Sequence, residues 1–192
     1  MSPAHTISQP YTVLVVDDQQ LIAEAVRRIL AEDPAADVQA CTRASEAVAR
    51  AVQLRPAVIL QDLTMPDGDG LELVERYAWQ AELAETAVIV LSATQDPVTK
   101  AEAFSRGAED YIEKLPPRQE FLARVQHHAA AARALRERNA AMRALERKET
   151  ELRALSGDPV VRVIVPSPAA VPPLRERLLR AGCQVFEGDL RF

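Results

Sequence analysis

The sequence contains few cysteines, and their positions exclude two kinds of cysteine-based site. Only Cys41 and Cys183 occur among its 192 residues. Their separation does not match the spacing of zinc ligands, and one distant pair provides no disulfide framework. The composition therefore argues against a zinc site and against a fold held by disulfide bonds.

Long hydrophobic runs are also absent from the chain. No apolar run approaches the ~18 residues that indicate a membrane-spanning helix, and the N-terminus lacks the apolar core of a signal peptide. We therefore expect a cytoplasmic protein without a membrane partner. Residues 1–10 hold two prolines and several small polar residues, and we expect them to form a flexible leader.

Basic residues are scarce in the first part of the chain. Residues 1–120 carry 20 acidic and 10 basic side chains, whereas residues 121–192 carry 8 acidic and 13 basic ones. An acidic surface repels the phosphate backbone, so nucleic acid is not an expected partner of the first part. The mild and mixed basic excess of the second part is typical of a solvated surface.

Apolar runs typical of strands alternate with helical patterns over the first part of the chain. Alternation of this kind predicts a parallel sheet covered by helices on both faces. With right-handed crossovers, the prediction is an α/β fold with a doubly wound five-stranded parallel sheet of order 2-1-3-4-5. The predicted strands are 12–16, 37–41, 57–61, 86–91 and 109–113, and the predicted helices between them are 20–32, 44–54, 69–81 and 97–106.

Several of these strands end in a polar side chain. An acidic pair after one strand is compatible with a simple turn or helix cap. The predicted topology, however, directs all of these strand ends toward one crevice, where the first strand meets the third. Three carboxylates, a hydroxyl and an amine at one sheet edge indicate a functional site. The residues are Asp17 and Asp18 after the first strand, Asp62 after the third, Ser92 after the fourth and Lys114 after the fifth.

Clustered carboxylates of this kind require a hard cation. Magnesium prefers oxygen ligands and commonly bridges to phosphate. A carboxylate can also attack phosphorus and form an aspartyl phosphate. Asp62 is the best candidate for this nucleophile because it stands alone at its strand end, whereas Asp17 and Asp18 suit the metal. Lys114 would neutralise charge on the transferred phosphoryl group, and Ser92 would hold one of its oxygens.

Four segments resemble, in order, the motifs of response-regulator receiver domains. They are "VLVVDDQ", "VILQDLTMPDGDG", "VIVLSA" and "GAEDYIEKLP", and the similarity covers about residues 11–130. The resemblance implies a flavodoxin-like fold and phosphorylation of Asp62 by a partner histidine kinase. It implies magnesium ligands from Asp17, Asp62 and the backbone carbonyl of Thr64, with Asp18 acting directly or through water.

The resemblance also implies a conformational switch. In such a switch Ser92 moves toward the phosphoryl oxygen and Tyr111 turns inward behind it. The face formed by the fourth helix, the fifth strand and the fifth helix would then signal to a downstream protein effector. The family usually has proline directly after the lysine, whereas Leu115 intervenes here. The sequence is compatible with both a cis and a trans Leu115–Pro116 bond.

A narrower similarity connects the chain with receivers of Wsp-type diguanylate cyclase response regulators. It rests on "VVDDQQLIAEAVRR", "VILQDLTMP" and "KLP". In that group a receiver and a helical stalk precede a cyclase domain. This chain has no Gly-Gly-Asp/Glu-Glu-Phe motif, so the resemblance does not extend to cyclase activity, and we predict no enzymatic activity for the chain.

A long C-terminal helix is predicted from residue 118 to residue 155, where no glycine occurs and Ala, Arg, Glu and Leu dominate. Its first part is expected to pack on the sheet through Phe121, Leu122, Val125 and Ala129. Leu135, Met142, Leu145 and Leu152 continue an apolar stripe, for which we expect a parallel homodimeric coiled coil. A solvated helix and a binding face for another protein are the alternatives.

The predicted organisation has four parts. Residues 1–10 form the leader, 11–132 the receiver, 133–156 the extended helix, and 157–192 a short strand–helix–strand tail of unknown role. The predicted function is that of a two-component response regulator. One alternative is the regulatory fragment of a diguanylate cyclase response regulator without its catalytic domain. Another alternative is a DNA-binding regulator whose output region is unrecognised. A third, a flavodoxin-like cofactor binder, would need a glycine-rich loop after the first strand.

Overall fold

A five-stranded parallel sheet forms the centre of the protein. The structure is a computed structural model, and it describes residues 9–94, 96–114 and 116–155. The strand order is β2-β1-β3-β6-β7, which confirms the predicted order 2-1-3-4-5 because β4 and β5 form a separate antiparallel pair. The strands are β1 Tyr11–Val16, β2 Ala36–Cys41, β3 Val58–Asp62, β4 Thr64–Met65, β5 Gly68–Asp69, β6 Ala87–Ser92 and β7 Asp110–Glu113.

In the part of the chain that the structure describes, five α-helices cover the two faces of the sheet, and a short 3-10 helix at Ala81–Leu83 follows the third. α1 and α5 share one hydrophobic cluster with the sheet, and α2, α3 and α4 share the other. Alternate residues of β1 supply the two clusters, Val13 and Val15 on one side and Leu14 and Val16 on the other, as expected for a strand buried on both faces. The helices are α1 Gln20–Leu30, α2 Ala44–Leu54, α3 Gly70–Ala78, α4 Pro97–Ser105 and α5 Arg118–Leu155.

The chain divides into two units, Met1–Ala144 and Leu145–Phe192, and the first contains the entire sheet. The predicted tail at 157–192, most of the predicted leader and the Leu115–Pro116 bond lie outside the described residues. Among the helices that the structure describes, none combines the length and the apolarity needed to cross a membrane.

The first part of α5 packs on the sheet as predicted. Phe121, Val125 and Ala129 are buried in the same cluster as α1, and Leu122 packs against its margin. The side chains that fill this cluster recur at helical spacing, which is why the pattern could be recognised in the sequence.

The contact of α5 with the domain continues further than expected. Arg136 donates hydrogen bonds to the Pro56 carbonyl and, at 3.2 Å, to the Thr86 hydroxyl. Asn139 and Arg143 donate to Oε1 of Glu85 at 2.8 and 3.2 Å. Contacts between α5 and the domain therefore continue past the predicted receiver boundary at residue 132, because long polar side chains reach the loops that precede β3 and β6.

The aromatic side chains at the end of α3 differ in exposure. Trp79, the residue after the helix, is 71% exposed. α3 ends at Ala78, and Tyr77 occupies the inward position, where its hydroxyl donates to Gln61 at 2.7 Å. On α5, His127 is exposed, whereas the side chain of His128 is only 14% exposed and its Nε2 lies 3.2 Å from Oδ2 of Asp110.

A buried carboxylate joins α5 to the start of the sheet. Asp33 accepts hydrogen bonds from the Tyr11 hydroxyl at 2.8 Å, from the Gln126 amide at 3.0 Å and from the Ala35 backbone at 3.0 Å. Burial alone would raise the pKa of Asp33, but the hydrogen bonds from Gln126 and Tyr11 outweigh it and lower the pKa below 3.8. The ionised form is therefore the stabilising one.

We expect Asp33→Asn to lower the free energy of unfolding at pH 7 by about 1–3 kcal/mol, the usual contribution of hydrogen bonds to a charged group. A carboxyl with a lowered pKa contributes stability above its unfolded pKa of 3.8 and loses it as the pH falls through the folded value. The difference from wild type should therefore shrink below about pH 4 in denaturant titrations. Asp37→Asn, which changes an exposed carboxylate, is the matched control.

Candidate functional site

The predicted polar residues meet at the carboxyl ends of the central strands. Asp17 follows β1, Asp62 ends β3, Ser92 ends β6 and Lys114 follows β7. The Lys114 backbone N–H donates to the Ser92 carbonyl at 2.7 Å, which extends the ladder between β6 and β7 into the site. The topology therefore brings these side chains to one edge, as the sequence predicts.

Lys114 lies between two buried carboxylates. Its Nζ is 2.9 Å from Oδ2 of Asp17 and 2.9 Å from Oδ2 of Asp62. Burial alone would lower the pKa of Lys114, but the close contacts with the carboxylates of Asp62 and Asp17, and their negative charges, outweigh it and raise the pKa. The ammonium group therefore stays charged and partly neutralises the two carboxylates.

The two buried carboxylates are incompletely satisfied. Asp17 is 1% exposed and Asp62 is 2% exposed. Oδ1 of Asp17 accepts from the Gln19 backbone at 2.9 Å, and Oδ1 of Asp62 accepts from the Thr64 backbone at 3.2 Å. Both Oδ2 atoms are within ion-pair distance of Lys114, yet neither has a well-oriented hydrogen bond from a described residue. Such buried oxygens are suited to a cation.

The pKa of Asp17 is raised, first by burial and further by the charge of Asp62. Asp17, Asp18 and Asp62 can each supply one carboxylate oxygen to a group whose atoms lie within 4.8 Å of one another. A donor set made only of carboxylate oxygens fits a hard cation such as Mg²⁺, which also prefers an open side where waters remain bound. The exposed Asp18 provides that open side.

An open cavity of about 480 Å³ lies directly above these carboxylates. Asp62 and Asp18 line it, but Asp17 does not. Asp62 is thus the only one of the three that is buried, contacts Lys114 and also faces the cavity. The lining residues are Asp18, Gln19, Asp62, Thr64, Met65, Pro66, Ser92, Ala93, Thr94 and Lys114.

Ser92 and Tyr111 meet at the loop after β6. Oγ of Ser92 accepts from the Thr94 backbone N–H at 3.2 Å and lies 3.5 Å from the Thr94 hydroxyl. The Tyr111 hydroxyl donates to the Thr94 carbonyl at 2.9 Å, and the residue is 3% exposed. Tyr111 is therefore already turned inward in this structure, and Thr94 connects it to Ser92.

The loop after Asp62 holds residues that the sequence analysis did not single out. Asp67 accepts hydrogen bonds from the backbone N–H groups of Ala44 and Ser45 at 2.9 and 3.1 Å, so it binds the first turn of α2. Gly70 packs against the backbone after β3, where an added Cβ would lie 2.2 Å from the Asp62 carbonyl oxygen. The "PDGDG" segment contains the signal, since two glycines within three residues indicate a tight backbone approach.

Gly70→Ala is expected to displace the Asp62 strand end. A Cβ at 2.2 Å from backbone cannot be accommodated without a shift, so we expect a loss of about 1–3 kcal/mol in unfolding free energy. Gly68→Ala is the matched comparison, because its Cβ would meet only the Ala44 side chain, at 2.7 Å. Urea denaturation of both variants tests this, and a milder effect at Gly70 than at Gly68 would contradict it.

The comparisons with known proteins agree on one family. A family model for the response regulator receiver domain matches residues 13–126. The chain is 40% identical over 111 residues to a protein-glutamate methylesterase/protein-glutamine glutaminase from Anaeromyxobacter dehalogenans, an alignment that covers 55% of this chain and 30% of that protein. It is 34% identical over 114 residues to the transcriptional regulator RpaA from Synechocystis, covering 59% of this chain and 47% of that protein.

Solved structures share the fold of the first unit. The chemotaxis protein CheY4 from Vibrio cholerae matches with a TM-score of 0.57 at 28% identity, covering 62% of this chain and 98% of that one. The receiver domain of a Francisella response regulator matches with a TM-score of 0.56 at 28% identity, covering 62% and 97%. The chain spans about half or less of the curated relatives it matches, and the similarity to them covers 53–59% of this chain.

Proposed function

The chain belongs to the response regulator receiver domain family, and from this premise we propose that Asp62 accepts a phosphoryl group from a histidine kinase of a two-component system. One observation carries the assignment to Asp62. Among the three clustered carboxylates, Asp62 is the one that is buried, contacts Lys114 and also lines the open cavity beside Ser92. Asp17 is buried and does not line the cavity, and Asp18 is exposed and forms no ion pair with Lys114 among the described residues.

The proposed transfer forms one bond and breaks one. A carboxylate oxygen of Asp62 attacks the phosphorus atom of a phosphohistidine, and an O–P bond forms as the P–N bond breaks. The imidazole nitrogen keeps the electron pair of that bond and takes a proton from solvent. Lys114 is positioned to neutralise charge on the phosphoryl group, and the Ser92 hydroxyl is positioned to donate to one of its oxygens.

We propose that Asp17, Asp18, Asp62 and the backbone carbonyl of Thr64 hold Mg²⁺. The metal, when bound, would stabilise the negative charge that gathers on the phosphoryl oxygens. The unsatisfied Oδ2 atoms of Asp17 and Asp62 support this ligand set, and Thr64 lines the same cavity. Without the ion, Lys114 is the main counter-charge at the site.

The proposed output is a conformational switch. The hydrogen bonds that join Ser92 to Thr94 and Thr94 to Tyr111 offer a path from the cavity to the surface of α4, β7 and α5. If Ser92 turns toward a phosphoryl oxygen, its bond to the Thr94 backbone breaks, and the loop that holds Tyr111 is released. We propose that a downstream protein effector reads this change, and that the chain acts by binding rather than by catalysis.

The division of the chain and its wider context are also proposals. We assign residues 1–10 to a leader, 11–132 to the receiver, 133–156 to an extended helix with homodimeric contacts, and 157–192 to a tail. The narrow likeness to Wsp-type receivers supports a helical stalk as the output element. A second candidate, a DNA-binding regulator, is favoured by the transcriptional regulators among the relatives, and a salt-dependent DNA titration tests it.

Incubation of the purified chain with acetyl phosphate and Mg²⁺, followed by intact mass spectrometry, tests the central proposal. We expect a gain of one phosphoryl group that requires the metal and is lost at alkaline pH, because acyl phosphates hydrolyse readily. A mass gain that persists in excess chelator would contradict the magnesium dependence. No mass gain with acetyl phosphate or with a phosphorylated histidine kinase would contradict the function.

A further inference from the structure

Two charged residues interrupt the apolar stripe of α5. The stripe positions follow one another at alternating intervals of three and four residues, the spacing of a coiled-coil seam. These six positions, called the seam below, are Leu135, Arg138, Met142, Leu145, Glu149 and Leu152. Met142, Leu145 and Leu152 are 56%, 61% and 66% exposed, whereas Leu135 is half-buried, so the seam from Met142 onward lacks a cover within the described part of the chain.

The two charges of the seam have no ion-pair partner among the described residues. Arg138 and Glu149 are both exposed on α5. They lie eleven positions apart on the helix, roughly 16 Å along the axis at 1.5 Å per residue, so they cannot pair with each other in one chain. A partner helix that covers the apolar residues must therefore also accommodate a positive charge near one end of the seam and a negative charge near the other.

We infer that a second copy of this chain packs on the seam in the antiparallel direction. When Met142 is set opposite Leu145 of the second copy, Arg138 comes opposite Glu149 and Leu135 opposite Leu152. The two-fold symmetry of the dimer repeats each of these three pairs, so the seam contains six layers, each made of two residues that face each other. Every layer is then either apolar against apolar or positive against negative, so the seam is complementary to itself.

The parallel arrangement expected from the apolar residues alone lacks this complementarity. In register, it would place Arg138 against Arg138 and Glu149 against Glu149. Like charges facing each other at a partly desolvated seam repel strongly. The inference rests on the proposed homodimerisation through the C-terminal helix, and it replaces the parallel direction with the antiparallel one.

Charge exchange at the two positions tests the direction. We expect Arg138→Glu alone and Glu149→Arg alone each to weaken dimerisation of the full chain by at least about tenfold, because each creates two like-charge layers. The double variant restores opposite charges in both layers of an antiparallel dimer, and we expect its dissociation constant to return to within about threefold of wild type. Arg147→Glu, on the opposite side of the helix from the seam, is the control. Sedimentation equilibrium measures all five proteins.

A parallel dimer predicts a different pattern. Its layers would hold like charges in every variant, so the single changes would not weaken it and the double change would not restore anything. Cysteine cross-linking in a background with Cys41→Ala and Cys183→Ala gives the second measurement. We expect disulfides only when Leu135→Cys and Leu152→Cys proteins are mixed.

Cross-linking of Leu135→Cys protein with itself would overturn the antiparallel direction while leaving a dimer. A wild-type chain that stays monomeric at several hundred micromolar would overturn both the direction and the proposed dimer. Neither result would affect the magnesium-dependent mass gain, so failure of the dimer can be distinguished from failure of the phosphoryl-acceptor function.

Discussion

Asp62→Asn is expected to abolish phosphorylation of the chain. The amide has nearly the same shape as the carboxylate but is a very poor nucleophile toward phosphorus, so the attack on a phosphodonor cannot proceed. The variant keeps an oxygen that can accept from the Thr64 backbone, and it should remain folded. Intact mass after incubation with acetyl phosphate and Mg²⁺ is the measurement.

Asp37→Asn provides the control for this experiment. Asp37 is an exposed carboxylate of β2, far along the sheet from the strand ends that form the cavity. Its variant should accept a phosphoryl group as wild type does. Labelling of the Asp62→Asn protein at the wild-type level would refute the assignment of the phosphoacceptor.

Removal of Asp18 or Asp17 is expected to weaken Mg²⁺ binding by at least about tenfold, since each removes one of three clustered negative charges. The two variants should differ in stability. Asp18 is exposed and has no hydrogen bond or ion pair among the described residues, so Asp18→Ala should leave the metal-free protein as stable or slightly more stable. Asp17→Ala should be the less stable of the two, because it loses the Lys114 contact and the acceptor for the Gln19 backbone.

Calorimetric titration with magnesium chloride and thermal melts in chelator measure these two effects. Glu24→Ala, which removes an exposed acidic residue of α1, controls for general charge. Unchanged magnesium affinity in both Asp17→Ala and Asp18→Ala would contradict their role at the metal. A large loss of stability in Asp18→Ala without metal would contradict the electrostatic explanation.

The sequence predicted most of the sheet and the clustering of the site for one physical reason. Strands buried on both faces give continuous apolar runs, and parallel strands all end at the same edge. Asp62, Ser92 and Lys114 could therefore be brought together by topology alone. The contacts between these side chains could not be predicted. Lys114 lies between Asp17 and Asp62, and this position depends on side-chain conformations that periodicity does not encode.

Other features were missed because they involve short segments or long polar side chains. The β4–β5 pair has two residues in each strand, too few for an alternating pattern. The approach of Gly70 to the Asp62 backbone is a tertiary contact between loop and strand. The attachment of α5 through Arg136 to Pro56 links residues far apart in sequence, and polar residues on a helix are normally assigned to solvent.

The most direct test of the phosphoryl-acceptor assignment is to locate the phosphoryl group chemically. Borohydride reduces an aspartyl phosphate to homoserine, which marks the modified residue in a peptide map. After incubation with acetyl phosphate and Mg²⁺, reduction and digestion, we predict homoserine at position 62 and unmodified aspartate at positions 17 and 18. Homoserine at Asp17 or Asp18, or an unmodified Asp62 in protein that has gained a phosphoryl group, would contradict the account.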